Sequence, residues 1–185
     1  MVDYTTTTDW YGAPGARANL IPDPDEARRP VPALPTPMAI HGALECEVQP
    51  VVGRSAGLVI EPQDTRWTGM ANVSAHVQLL IRGKKVGDYV ELAIPAKGSA
   101  PRRFTLYATQ AYDYGILKFS VNGRAVVQPF DGYAPNPTPS GPIALGVFTP
   151  KHGKLILRAE LADANPKAGG FRYLAALDAV VVSER

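Results

Sequence analysis

Several aromatic side chains of this sequence lie in segments rich in turn-forming residues rather than in apolar runs. Two of them flank an aspartate within residues 109–115, and a third follows an aspartate in a segment rich in Pro, Gly and Asn. Aromatic rings stack on the apolar faces of sugar rings, while carboxylates and amides form hydrogen bonds with the hydroxyl groups. The pattern predicts a ligand-binding set consisting of Tyr112, Asp113, Tyr114, Asp131, Tyr133 and Trp67. The alternative is that the loop tyrosines cap the ends of a β-sandwich and bond to backbone groups.

Polar side chains beside these aromatic residues are further candidates for bonding to hydroxyl groups. They are Gln110, Asn136 and Asn165. Other chemistry has little support, because the three histidines are far apart in sequence and no HExxH, CxxC, EF-hand, GxSxG or Walker pattern occurs. The single cysteine, Cys46, lies in an alternating segment and is interpreted as a small buried hydrophobe. The sequence therefore predicts no catalytic residue.

Calcium differs from transition metals because backbone carbonyls and scattered carboxylates can bind it without any sequence motif. Asp178, within residues 176–179, is the candidate for a structural calcium site. The alternative is a structural aspartate that is fully hydrogen-bonded, since buried polar groups are usually paired. No other cofactor is predicted.

Composition limits the classes of partner. The chain has 185 residues, enough for one good-sized domain or for one domain with an arm. Its 19 basic and 17 acidic residues are scattered and give a net charge of +2, so no nucleic-acid partner is predicted. No run of 18 apolar residues occurs, so no membrane span is predicted. The first residues lack the features of a signal peptide, which predicts a protein that is cytoplasmic or exported by other means, unless a leader was lost.

Hydrophobic periodicity predicts the fold. Residues 116–121 alternate between apolar and polar side chains, and Asn122-Gly123 follows them, a pair typical of a type I′ hairpin. Comparable signals predict strands at residues 39–48, 56–61, 74–82, 88–94, 104–108, 126–129, 143–148, 154–161 and 173–182, with a turn at 51–55. No segment has a convincing helical period. We therefore predict an all-β protein, an antiparallel β-sandwich of the jelly-roll type over residues 38–185.

The first 37 residues differ from the rest. Residues 3–11 have high β propensity and predict one strand. Seven prolines between residues 12 and 37 predict an extended, proline-rich N-terminal arm, with a simple spacer as the alternative. A strand without a partner would be an aggregation-prone edge. We therefore predict that residues 3–37 bind a partner, either a second copy or a separately encoded catalytic chain.

A series of short motifs resembles a known module. In order along about residues 60–183 they are residues 87–92, 106–115, 119–123, 130–133, 139–146, 165–166 and 177–179. They resemble the C-terminal, carbohydrate-binding-module-like β-sandwich of secreted bacterial proteins in glycoside hydrolase family one hundred and seventy-two. That family acts on fructofuranosyl and arabinofuranosyl linkages. Residues 8–11 and the proline-rich run resemble the last strand of its catalytic jelly roll, but the catalytic domain has no match, so the resemblance assigns no catalytic residue.

The resemblance implies a non-catalytic accessory subunit of a carbohydrate-active assembly, which binds a partner chain and a glycan. One alternative is a structural, self-assembling β-sandwich that binds no sugar. Another is a part of a furanosidase active site that is completed across an oligomer interface. Sequence alone leaves these three open.

Overall fold

A computed structural model describes residues 36–66 and 73–184, and in this part of the chain the structure is almost entirely β. The predicted strand at residues 3–11, nearly all of the proline-rich arm and Trp67 lie outside the described residues. The strands are β1 (Ala43–Glu45), β2 (Val51–Arg54), β3 (Val59–Asp64), β4 (Val77–Arg82), β5 (Tyr89–Pro95), β6 (Arg102–Gln110), β7 (Gly115–Val121), β8 (Arg124–Ala125), β9 (Phe130–Asp131), β10 (Thr138–Phe148), β11 (Lys154–Ala164) and β12 (Leu174–Glu184).

Two antiparallel sheets contain these strands. The first has the order β10-β6-β12-β4-β3, with β1 also paired to β12. The second has the order β2-β5-β11-β7-β8, with β9 also paired to β7. The long strands β4, β5, β6, β7, β10, β11 and β12 belong alternately to the first and the second sheet. This confirms the predicted antiparallel β-sandwich of the jelly-roll type.

The core lies between the sheets and follows from the alternation in the sequence. Leu117, Phe119 and Val121 of β7 are buried, while Lys118 between them is exposed. Phe104 on β6 is fully buried and packs edge to face against Phe148, with ring centroids 6.4 Å apart. Each such side chain stabilises the fold by about 1.5–3 kcal/mol through burial alone. The Asn122-Gly123 hairpin is also confirmed, because both residues have positive φ, 51° and 79°, as a type I′ turn requires.

The sequence prediction was wrong near the N-terminal side of the sandwich. Only Ala43–Glu45 of the predicted strand 39–48 pairs in a sheet, and Cys46–Val48 forms a single 3-10 turn. Residues predicted as a turn form β2, an edge strand on β5. Residues 43–48 alternate and residues 51–54 do not, but pairing with a neighbouring strand, which local pattern does not reveal, decides which residues become a strand.

The predicted strand at residues 126–129 was also wrong. Val127 is 90% exposed, and Pro129 has no backbone N–H to donate to a neighbouring strand. The short strands β8 and β9 lie on either side of this segment instead. Within residues 36–66 and 73–184, no helix is long and apolar enough to cross a membrane.

Candidate functional site

Three connections meet at one end of the sandwich, and together we call residues 110–115, 130–137 and 165–174 the loop end. Backbone hydrogen bonds hold them together. The Ala111 N–H donates to the Gly132 carbonyl (2.9 Å), and the Ala134 N–H donates back to the Ala111 carbonyl (3.1 Å). The Gly169 N–H donates to the Tyr112 carbonyl (2.9 Å). The fold thus brings together segments that lie up to about 60 residues apart in the sequence.

Polar side chains of the loop end mainly bond to the protein itself. Asp131 Oδ1 accepts a hydrogen bond from the Tyr133 N–H (2.9 Å), and Oδ2 accepts one from Asn165 Nδ2 (2.6 Å). Gln110 Nε2 donates to the Asp131 carbonyl (2.9 Å). Asn136 accepts a hydrogen bond at its backbone carbonyl from Thr138 Oγ1 (3.1 Å). The side chains of Asp131, Gln110 and Asn165 therefore hold the loops in place through these hydrogen bonds, although Asp131 is also exposed.

Close backbone approach at the loop end requires glycine at position 132. The Gly132 N–H donates to the Gly115 carbonyl (3.1 Å), and a Cβ atom at position 132 would collide with that carbonyl oxygen. It would also lie 3.1 Å from Tyr114 Cβ. Because a glycine has no Cβ, the connection that carries Asp131 and Tyr133 can lie directly against the start of β7.

Two aromatic rings, those of Tyr112 and Phe171, are exposed on this surface. Tyr112 is 54% exposed, while Tyr133 in the adjoining connection is half-buried. Phe171, which the sequence analysis missed, is 73% exposed. A Cβ atom at Gly170 would lie 3.9 Å from Tyr112 Cε2, so the Gly-Gly-Phe segment runs past the tyrosine ring. An apolar residue directly after a glycine pair in a polar segment was the signal that could have revealed Phe171.

Tyr114, on the same connection as Tyr112, is 4% exposed. Gln78 Nε2 donates to the Tyr114 hydroxyl (3.4 Å) and to Gln63 Oε1 (2.6 Å). Thr109 Oγ1 donates to Gln78 Oε1 (2.7 Å). Burial raises the pKa of Tyr114 to about 12, so its hydroxyl stays protonated at neutral pH. Tyr114 thus links the loop end to β4 through Gln78.

Asp113 is nearly buried as well, and burial raises the pKa of its carboxyl group. Its carbonyl accepts a hydrogen bond from the Leu174 N–H (3.4 Å), which joins the start of β12 to the loop end. A Cβ atom at Gly170 would lie 3.5 Å from Asp113 Cβ. Of the six predicted ligand-binding residues, the structure thus exposes Tyr112 and Asp131, half-buries Tyr133, and buries Asp113 and Tyr114. Trp67 lies outside the described residues.

A second group of polar residues surrounds Asp178 on β12, which is completely buried. The Ser74 N–H donates to both carboxylate oxygens of Asp178, at 3.0 and 3.2 Å. Ser74 Oγ donates to Glu45 Oε1 (2.6 Å). Glu45 Oε2 and Glu47 Oε2 are buried without a hydrogen-bond partner in the described structure. We call Glu45, Glu47, Ser74 and Asp178 the acidic cluster.

The acidic cluster is electrostatically unfavourable when all its carboxylates are charged. Burial, followed by the charges of Glu45 and Glu47, raises the pKa of Asp178 to about 7. Burial likewise raises the pKa of Glu47 and of the neighbouring thiol of Cys46, which is fully buried. Across residues 36–66 and 73–184, no three His, Cys, Asp or Glu side chains are arranged to hold a metal ion. Asp178 therefore has the contacts of a structural aspartate, and calcium at this position stays a prediction.

Comparison with known proteins gives matches in fold only. No protein-family model matches the chain, and no curated protein matches it. A xanthan lyase from Paenibacillus matches with a TM-score of 0.63 and 20% identity, over 82% of this chain and 14% of that chain. A β-(1,4)-mannanase from Podospora anserina with a family 35 carbohydrate-binding module matches with a TM-score of 0.49 and 11% identity, over 77% and 27%. The family 35 carbohydrate-binding module from Paenibacillus barcinonensis matches with a TM-score of 0.45 and 17% identity, over 77% and 98%.

The match to the xanthan lyase agrees with the β-sandwich described above. The likeness to the xanthan lyase is one of fold, because the identity is 20%. The other two superpositions have TM-scores below 0.5 and support no further conclusion. The chain spans about a seventh of the length of the lyase and about a quarter of the mannanase. The likeness therefore concerns the fold and not the enzymatic activity of those proteins.

Proposed function

We propose that this chain is a non-catalytic β-sandwich subunit of a carbohydrate-active assembly and that its loop end binds a glycan. The observation that supports this proposal is the arrangement of exposed aromatic rings on connections that the protein itself holds rigid. Tyr112 and Phe171 are exposed on adjoining loops, and the backbone of Tyr133 pairs with Ala111, the residue before Tyr112. The fold shared with part of a xanthan lyase agrees with this function.

The proposed roles at the loop end differ with burial. Tyr112 and Tyr133 stack on sugar rings, and Phe171 extends the apolar surface. Asp131 orders the loops and presents its exposed edge to a hydroxyl group, while Asp113 and Tyr114 support the rings from below. Rigid aromatic rings lose little conformational entropy on binding, so a surface fixed in this way favours ligand stacking. Trp67 remains a candidate for the same surface.

The assembly itself is the second part of the proposal. The motif resemblance supports an accessory module of the type found in glycoside hydrolase family one hundred and seventy-two, with residues 3–37 contacting a second copy or a separate catalytic chain. Pull-down of the native complex followed by mass spectrometry tests this. A larger hydrolase chain in the complex supports the proposal. A full chain that is monomeric in solution and binds no partner, and from which residues 1–37 can be removed without effect, contradicts it.

Glycan binding is tested by affinity gel electrophoresis and a glycan array. The variants Tyr112→Ala and Tyr133→Ala are expected to bind more weakly, because ring stacking contributes about 0.5–1.5 kcal/mol beyond the area that it buries, or about 2- to 12-fold in affinity. Tyr89→Ala is the matched control, since Tyr89 lies under Arg158 on the second sheet, with the guanidinium carbon 3.4 Å from the ring centroid. Equal binding by all four proteins, or no binding to any glycan, would contradict a glycan site at the loop end.

A self-assembling structural protein is the second candidate. The observation that favours it is a group of exposed valines near the edge strand β2, namely Val48, Val51 and Val52, which are 72%, 45% and 51% exposed. Exposed apolar groups of this kind are common at protein interfaces. Light scattering on wild type and Val52→Lys tests it: a defined oligomer that the substitution dissociates supports assembly through β2, and a mass unaffected by the substitution opposes it.

A further inference from the structure

A depression between two hairpin turns lies at the other end of β7 from the loop end. Its volume is about 330 Å³, and it is lined by Asn122, Gly123, Lys151, His152, Lys154 and Ile156; we call it the basic depression. β7 has seven residues, so about 20 Å separates the two ends. The volume lies at the lower limit of small-ligand pockets.

Hydrogen bonds make the basic depression rigid. Asn122 Oδ1 accepts a hydrogen bond from the Ile156 N–H (2.9 Å), and the Asn122 N–H donates to the Ile156 carbonyl (2.9 Å). Asn122 Nδ2 donates to the Thr149 carbonyl (3.1 Å). His152 and Gly153 both have positive φ, and Lys151 and Lys154 exchange two backbone hydrogen bonds across this second tight turn. Both walls of the depression are therefore fixed before any ligand binds.

The charges of the depression all have one sign. Lys151 and Lys154 are exposed, and neither forms an ion pair with another described residue. No carboxylate contributes to the lining. Two other basic side chains of the second sheet do have carboxylate partners: Lys118 pairs with Glu160 at 2.7 Å, and Arg158 pairs with the same residue at 2.6 Å. Ile156, which is half-buried, also lines the depression and gives it an apolar floor.

We propose that the basic depression binds the carboxylate of an acidic sugar residue. An anion there forms charge-assisted hydrogen bonds with the two ammonium groups, and the apolar face of the sugar ring covers Ile156 and the lysine stems. A simple inorganic anion uses the charge but leaves the apolar floor uncovered. This site is independent of glycan binding at the loop end, because the two surfaces share no residue.

Nuclear magnetic resonance titration with trigalacturonic acid tests this proposal, with its methyl ester as the uncharged counterpart. We expect the acid to shift the amide signals of residues 122–123 and 151–156 and to bind more weakly as salt increases. The double variant Lys151→Gln/Lys154→Gln is expected to lose at least about tenfold in affinity, as for the loss of one charge-assisted hydrogen bond. The double variant Lys84→Gln/Lys85→Gln removes the same charge from another exposed turn and is expected to bind like wild type.

Four results would overturn the proposal. They are absence of any shift at these residues, equal binding of the acid and its methyl ester, equal loss of affinity in both double variants, and inorganic sulfate binding as tightly as the trisaccharide. Tyr112→Ala distinguishes the two sites. In this variant the acid is expected to shift the amide signals of residues 122–123 and 151–156 as in wild type, whether or not the loop end binds a glycan.

Discussion

The charge state of Asp178 gives the sharpest prediction. The pKa of its carboxyl group is raised from 3.8 to about 7 in the folded protein, chiefly because the group is buried and next because Glu45 and Glu47 are close. Below pH about 4 the folded and unfolded states both hold the proton, and above pH about 7 neither does. Between these values the folded state binds more protons. The free energy of unfolding therefore falls as the pH rises from about 4 to about 7.

The size of this effect follows from the shift. One pKa unit corresponds to about 1.36 kcal/mol, so a shift of about three units gives about 4 kcal/mol as an upper figure for the loss. The Asp178→Asn variant cannot ionise and still offers an acceptor to the Ser74 N–H, so it is expected to escape this loss. The difference in free energy of unfolding between the variant and wild type should therefore grow in favour of the variant from pH about 4 to about 7. Above pH about 7 the variant should be the more stable protein.

Urea denaturation followed by circular dichroism, in buffers that contain a chelator, measures the difference between the two proteins at each pH. Asp163→Asn is the control, because Asp163 is exposed and its Oδ1 accepts a hydrogen bond from the adjacent Ala164 N–H (2.7 Å). A difference between wild type and Asp178→Asn that stays constant with pH, or that grows in favour of wild type, would refute the reasoning. Replacing the chelator with calcium then tests the calcium prediction: calcium that stabilises wild type but not Asp178→Asn supports it, and an equal response opposes it.

Three further substitutions test the fold and the loop end by chemical denaturation. Gly132→Ala is expected to lower the free energy of unfolding by about 2 kcal/mol or more, because its Cβ would collide with the Gly115 carbonyl oxygen. Gly169 has open space around it, so Gly169→Ala should change the free energy of unfolding by less than about 0.5 kcal/mol. Equal effects of the two substitutions would contradict the close approach of backbone at Gly132. Phe104→Ala is expected to cost about 3–5 kcal/mol through the cavity it leaves, against less than about 0.5 kcal/mol for the exposed Val127→Ala. Asn122→Ala removes two side-chain hydrogen bonds and places an alanine at positive φ, so it should cost about 2 kcal/mol, whereas the exposed Asn136→Ala should be nearly neutral.

Much of the fold was readable from local pattern. The alternation in residues 116–121 and the Asn122-Gly123 pair predicted β7 and its hairpin correctly, because the strand period of two decides which side chains face the core. The same pattern at residues 39–48 failed, because residues 46–48 turn away from the sheet. Whether an alternating segment becomes a strand depends on a neighbouring strand being available for pairing.

For the candidate site, the sequence determined which residue types are present and only the tertiary structure decided which of them meet. The Tyr-Asp-Tyr segment was identified from its composition, but the connection that carries the chain from β6 in the first sheet to β7 in the second buries Tyr114 and exposes Tyr112. Asp131 bonds to Asn165, 34 residues away, and Asp178 bonds to Ser74, 104 residues away. Sequence periodicity acts over a few residues, whereas such contacts are set by the pairing of distant strands. That pairing is why an aspartate in an apolar strand became part of a buried acidic cluster.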